Sequence, residues 1–131
     1  VLQGQTIHQA LSSALSQAGG KLLPRIEQAL QTPALSSADA AKSFGSSCHV
    51  QEGLPLIVHI VRHASDYRSA VQENIRIGGD SCGRSILLGA IMAAYTAQQQ
   101  DNNTAIPLEW LARYRKLSIA ADACAKLVVS G

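Results

Sequence analysis

The residues best suited to chemistry lie in one stretch, from Ile77 to Ser85 (IGGDSCGRS), directly before the apolar run from Ile86 to Tyr95. The two glycines allow a sharp turn, and Asp80 stands where a helix is expected to begin. Its carboxylate can accept backbone N–H bonds and face the positive end of the helix dipole, which is a good place to hold an ion. The alternative is that Asp80 serves only as the helix cap.

A second candidate segment runs from Gly45 to Gly53 (GSSCHVQEG) and predicts a loop. Its small polar residues leave backbone amides open to a ligand. Glycine and serine are also ordinary loop formers, so a purely structural role stays open.

Two histidines, His59 and His63, lie four residues apart on a predicted apolar helix from Leu54 to Ala64. This spacing puts both imidazoles on one face, where they could bind a transition metal with a third ligand. The segment lacks the glutamate of the His-Glu-x-x-His pattern, which favours packed or surface histidines instead.

The three cysteines, Cys48, Cys82 and Cys124, are an odd number without paired spacing, which indicates reduced thiols in an intracellular protein. Cys124 lies in an alanine-rich run and is expected to be a small buried hydrophobe. Cys82 lies in the first turn of its predicted helix beside Arg84, so a nucleophilic or redox role is conceivable. No base is identifiable beside it, which argues against that role.

Five sequence elements between Gly45 and Trp110 follow one another in a recognisable order. They are a glycine loop ending in a Leu-Pro helix start (Gly45 to Pro55), Ala70-Val71, Gly78-Gly79-Asp80, a small-residue helix (Gly89 to Tyr95), and Ile106-Pro107 with Trp110. This ordered set resembles the C-terminal half of the ADP-ribosylglycohydrolase family, which also includes the J1 crystallins.

The resemblance implies an all-helical, Mg²⁺-dependent hydrolase that removes ADP-ribose from a modified side chain. It also implies two metals held by acidic residues from both halves of the domain. The loop after Gly45 would lie along the ADP-ribose cleft. The substrate-binding residues that follow from this are Ser46, Ser47, Cys48, Gly78, Gly79, Ser81 and Arg84.

The sequence departs from the family at the implied metal site. The family pattern is Gly-Gly-Asp-Ser/Thr-Asp-Ser/Thr; Asp80 matches its first aspartate, but Cys82 stands at the second and Gly83 at the hydroxyl position. Mg²⁺ selects oxygen ligands, so a thiol replaces a carboxylate poorly. The site has therefore lost two of its three groups or is rebuilt around Asp80 and Ser81. Arg84 could pair with a diphosphate or with Asp80 itself.

The elements that must position these residues are predicted to be helices, in a compact multi-helix orthogonal bundle of the all-α class. Predicted helices cover about 7–15 (stopped by Gly19-Gly20), 21–30, 38–44 (capped by Ser37), 54–64, 66–77, 82–99, a short helix after Pro107, and 117–128. The helix from Cys82 to Gln99 is apolar on nearly every side until Gln98 and is expected to be the central buried helix.

The composition is sufficient for a folded core and argues against two classes of function, nucleic-acid binding and membrane spanning. The 131 residues are 47% hydrophobic, enough for a core, and the net charge of +2 comes from eleven basic and nine acidic residues spread along the chain. That spread argues against nucleic acid as a partner, and no apolar run reaches the roughly 20 residues of a membrane span. A cytoplasmic location is expected.

The start at Val1, with a pattern that enters mid-helix at Leu2-Gln3-Gly4, suggests that residues 1–131 are the C-terminal portion of a single longer domain. The missing N-terminal half would then supply further acidic ligands, and this piece is not expected to catalyse alone.

Two hypotheses remain. One is a hydrolase in which Asp80 binds a divalent metal that acts on the ribosyl linkage. The other is a catalytically altered relative, either a binder of ADP-ribose or a nucleotide or a crystallin-like structural chain, in which Asp80 only caps its helix.

Overall fold

The computed structural model describes residues 5–17, 20–99, 101 and 103–129. Within them the chain is all helical, as predicted, and contains no strand. The elements are α1 (Ile7–Gln17), a 3-10 turn (Gly20–Leu22), α2 (Leu23–Gln31), α3 (Ser37–Phe44), α4 (Val50–His63), α5 (Tyr67–Ile77), α6 (Ser81–Gln98), α7 (Leu108–Ala112) and α8 (Leu117–Val129). The helix entry predicted at Leu2-Gln3-Gly4 and the stop at Gly19 lie outside the described residues.

Helix α4 is the centre of the core, with an unbroken buried stretch from Pro55 to Val61. It packs against α1, α2, α3, α5 and α6. It begins at Val50, before the predicted start, so Pro55 lies inside the helix. A proline there leaves the carbonyl four residues earlier without its usual donor. That carbonyl, on Gln51, accepts a hydrogen bond of 3.3 Å from Arg25 Nε of α2.

Helix α6 is not the central buried helix that its composition predicts. Its buried residues form one stripe at a spacing of four, namely Arg84, Leu88, Met92 and Thr96. Ile86, on another face, is 79% exposed. The central place is taken by α4, so α6 packs along one side against α4 and α5.

Helices α3 and α5 begin at side-chain caps. The cap of α3 is Ser36, one residue before the predicted Ser37, and its hydroxyl accepts the Asp39 N–H. Ser37 instead donates to Glu73 Oε1 at 2.6 Å and so joins α3 to α5. Asp66 forms a capping box with Ser69 at the start of α5, as its position predicts.

The segment after α6 attaches to the start of α5. Tyr67 N–H donates to Thr104 O at 2.9 Å, and Arg68 pairs with Glu109 while its guanidinium lies 5.1 Å from the centre of the Trp110 ring. Trp110 is half-buried.

Helix α8 differs from prediction in its exposure. Cys124 is exposed rather than buried, and Ile119 of the same helix is 64% exposed. The α8 residues whose burial the structure gives are exposed apart from the half-buried Ala120. No helix in the described part of the chain combines the length and apolar character that crossing a membrane requires.

Candidate functional site

A cavity of about 310 Å³ opens where the N-terminal ends of α4 and α6 meet. One wall comes from the loop before α4 and from α4 itself, and the other comes from the first turns of α6. Its lining consists of Ser47, Cys48, His49, Val50, Gly53, Leu54, Ile57, Asp80, Gly83, Arg84 and Leu87. The sequence-predicted loop ends at Gly53 and the Gly-Gly-Asp turn begins at Gly78, yet the two segments face one space.

A backbone contact fixes the two walls to each other. Asp80 N–H donates to Ser46 O at 2.9 Å. The neighbouring Gly79 has φ +61°, and a Cβ on it would lie 2.0 Å from Ser46 O. Only glycine allows both this φ and this approach, so Gly79 is required for the joint between loop and turn.

The Asp80 side chain caps α6. Its Oδ1 accepts the Gly83 N–H at 3.1 Å, which is the capping role that the sequence left open for it. A Cβ at residue 83 would lie 2.3 Å from Asp80 Oδ2. The absence of a side chain at Gly83 therefore lets the carboxylate fold over the first turn of α6.

Arg84 lines the cavity, but it is only 3% exposed, and its guanidinium is held by the backbone behind the lining. Its Nε donates to Asn74 Oδ1 at 2.8 Å and its Nη1 to Ser46 O at 3.2 Å, while Nη2 donates to the carbonyls of Gly78 and Asn74. Burial lowers the pKa of Arg84, and the nearby negative charge of Asp80 opposes that shift. Arg84 thus ties the loop, the glycine turn and α5 together.

The loop wall is ordered by Glu52. Its Oε2 accepts the Ser47 N–H at 2.9 Å, and hydrogen bonds from Ser47, first from its backbone, hold the pKa of Glu52 below its usual range. Ser47 Oγ lies 2.9 Å from His49 Nδ1. His49 lines the cavity although it is not among the predicted site residues. Its position directly after the predicted Ser-Ser-Cys run was the available signal.

The structure divides the predicted site residues into three groups. Those that line the cavity are Ser47, Cys48, Asp80, Gly83 and Arg84. Ser46, Gly78 and Gly79 form the joint behind it through their backbone atoms, whereas Ser81 and Cys82 lie outside the lining. The apolar wall residues are not among the predicted site residues; they are Val50, Leu54, Ile57 and Leu87.

The donor set of this site does not fit a Mg²⁺ ion on its own. Among the described residues that line the cavity, Asp80 is the single carboxylate, and one of its oxygens already accepts a backbone N–H. Cys82 would offer sulfur, and Gly83 has no side chain. Across the described ranges, no three His, Cys, Asp or Glu side chains converge on a point that could hold a metal.

The histidine pair of α4 lies elsewhere and differs in environment. His59 is buried with its ring 5.5 Å from Phe44, whereas His63 is exposed and its Nε2 lies 3.2 Å from Thr32 O. The two rings are 4.8 Å apart. The arrangement agrees with packed and surface histidines.

Comparison with known proteins bears on this site. The chain matches the family model described as ADP-ribosylglycohydrolase over residues 1–130. No curated protein and no solved structure matches it. Because the family model covers nearly the whole chain, the chain belongs to the ADP-ribosylglycohydrolase family.

Proposed function

We propose that this chain is the C-terminal portion of an ADP-ribosylglycohydrolase-like hydrolase, which cleaves the glycosidic bond between ADP-ribose and a modified side chain. The observation that carries the proposal is the cavity between α4 and α6. There the loop after Gly45 and the Gly78-Gly79-Asp80 turn meet, joined by the hydrogen bond from Asp80 N–H to Ser46 O.

The lining of the cavity suits one part of ADP-ribose. Val50, Leu54, Ile57 and Leu87 supply an apolar wall for a base or sugar face, and Ser47 and His49 supply polar groups at the opening. Ligand pockets span roughly 300–1,000 Å³, so a cavity of about 310 Å³ is at the small end. This supports a partial cleft that an N-terminal half of the same domain would complete.

The proposal assigns the protein's own residues to binding and positioning. Asp80 fixes the start of α6 and presents a carboxylate to the cavity, while Ser46 and Arg84 hold the two walls at a constant separation. A cytoplasmic location belongs to the same proposal, because the three cysteines of the chain are free thiols. The metal requirement is a separate question, and no chemical step is assigned to a metal.

The test is release of free ADP-ribose from an ADP-ribosylated protein by the complete polypeptide, with and without Mg²⁺. We expect release by the native protein and its loss in Asp80→Ala, since that variant loses both the cap and the carboxylate. Unchanged release by Asp80→Ala would remove Asp80 from the mechanism.

A Cys82→Asp variant, which restores the family's second aspartate, is the matched comparison. Release by the native protein shows that Cys82 and Gly83 are compatible with hydrolysis. Release by the variant alone would instead favour the alternative of a noncatalytic relative, an ADP-ribose binder or a crystallin-like chain.

A further inference from the structure

A buried guanidinium, that of Arg84, lies at the joint behind the cavity. Arg84 reaches three separate parts of the chain, namely the loop at Ser46, the turn at Gly78 and α5 at Asn74. Asn74 is itself fully buried and holds the start of α6 through hydrogen bonds of 2.9 Å to Ser81 O and to Ser85 Oγ. Arg84 and Asn74 therefore form one buried polar unit, which we call the Arg84–Asn74 brace.

The charge of the brace is not cancelled by its hydrogen bonds. The four acceptors of Arg84 are neutral amide oxygens, three from the backbone and one from the Asn74 side chain. A guanidinium keeps its proton at neutral pH even when it is buried. A fixed positive charge therefore lies at the joint of Ser46 and Gly78, and the Asp80 carboxylate acts on it electrostatically.

The same charge makes Asp80 a poor ligand for a dication. The Arg84 guanidinium and a dication bound at Asp80 would both be positive. Their repulsion would be strong in this partly buried setting, because the effective dielectric constant there is well below that of water. The Asp80 carboxylate is also committed to the first turn of α6 through Gly83 N–H. The chain thus combines an incomplete set of Mg²⁺ ligands with an internal cation at the same place.

We propose that this cavity binds ADP-ribose without a divalent metal ion, with the buried Arg84 guanidinium supplying the positive charge that the diphosphate requires. Arg84 does not contact the ligand. It positions the loop and the turn, and its charge supplies a positive electrostatic potential in the cavity. This inference rests on the proposed function and narrows it, because it concerns what the cavity needs in order to hold ADP-ribose and not how the bond is cleaved.

The experiment measures the affinity of the complete polypeptide for ADP-ribose by calorimetry, once in excess EDTA and once in excess Mg²⁺. The expected result is the same affinity in both buffers. Binding in Mg²⁺ alone would overturn this inference and leave the proposed function standing. Binding in neither buffer would refute the proposed function, and this inference with it.

Two substitutions of Arg84 separate its charge from its shape. Arg84→Gln removes the charge but keeps polar atoms near the same carbonyls, whereas Arg84→Lys keeps the charge and loses the planar fork. We expect ADP-ribose affinity to fall at least about tenfold in Arg84→Gln, the scale of a lost charged interaction, and to be largely retained in Arg84→Lys. Equal affinities in a folded Arg84→Gln and the native chain, with helicity checked by circular dichroism, would contradict the proposal.

Asp80→Asn gives a test that does not disturb the brace. Asparagine caps helices as well as aspartate does, so α6 is expected to keep its start. If Arg84 supplies the positive charge, removing the neighbouring negative charge should tighten ADP-ribose binding in EDTA. A metal bridge at Asp80 predicts instead that the native chain binds ADP-ribose only in Mg²⁺ and that Asp80→Asn weakens this binding. Weaker binding by Asp80→Asn than by the native chain, in either buffer, would overturn the inference even if Arg84→Gln fails to fold.

Discussion

At the scale of single residues, the joint between the two walls of the cavity depends on Gly79. Its φ of +61° costs an L-residue about 1–2 kcal/mol. Its backbone also passes so close to Ser46 O that an added Cβ would lie 2.0 Å away. The atom that the added Cβ would meet belongs to the backbone, so the clash can be removed only by moving the loop or the turn. Either movement breaks the hydrogen bond from Asp80 N–H to Ser46 O.

We therefore expect Gly79→Ala to lower the free energy of unfolding by about 3 kcal/mol or more, beyond the cost of φ alone. Gly20→Ala is the matched control, because Gly20 has a similar φ of +62° and the added Cβ would meet no heavy atom of the described residues within 4 Å. That control is expected to lose about 1–2 kcal/mol. Urea unfolding of both variants checks the difference, and equal losses would show that contact with Ser46 is unimportant.

The sequence predicts only part of the residue-scale picture. Asp80 follows two glycines and precedes an apolar run, so its capping position could be predicted from local preferences. The role of Arg84 could not be, because its partners include the backbone carbonyls of Ser46 and Gly78, which carry no signature in the side-chain sequence. The long separation between Ser46 and Arg84 also places their contact beyond any local pattern.

At the scale of elements, α6 shows why composition is a weak guide to burial. Its small and apolar residues leave little contrast between faces, so its sequence does not identify the side that packs. The structure identifies that side by the spacing of Arg84, Leu88, Met92 and Thr96. The sequence of α4, by contrast, predicts a strongly apolar helix, and α4 does form the core. The helix nevertheless begins at Val50, because Pro55, although typical of a first helical turn, lies in its interior.

The orientation of α6 can be tested with two alanine substitutions that lie two residues apart in the helix. Leu88 has no exposed surface and belongs to the core, so Leu88→Ala is expected to cost about 2–5 kcal/mol in free energy of unfolding. Ile86 is 79% exposed, so Ile86→Ala is expected to change stability by no more than about 0.5 kcal/mol. Chemical denaturation of both variants measures the difference. A cost for Ile86→Ala equal to that for Leu88→Ala would mean that the outward face of α6 is covered in the folded protein.

At the scale of the whole molecule, the buried imidazole of His59 makes the stability of the core depend on pH. It lies on the central helix between Phe44 of α3 and His63, with Arg62 on the same helix and Glu73 on α5 as the nearby charges. Burial, reinforced by the positive charges of His63 and Arg62, holds the pKa of His59 below its ordinary value, while Glu73 opposes this. His59 is therefore neutral in the folded chain at neutral pH.

This makes stability depend on pH in a defined direction. When pH falls below about 6.5, the unfolded chain takes up a proton on His59 while the folded chain resists it, so the free energy of unfolding decreases. Urea unfolding from about pH 8 to about pH 5 should show this loss in the native chain, above the range in which carboxylates titrate. His59→Leu removes the group and is expected to flatten the dependence, whereas His63→Leu, at an exposed position, should leave most of it. An unchanged slope in His59→Leu would show that the acid sensitivity of the core arises at another residue.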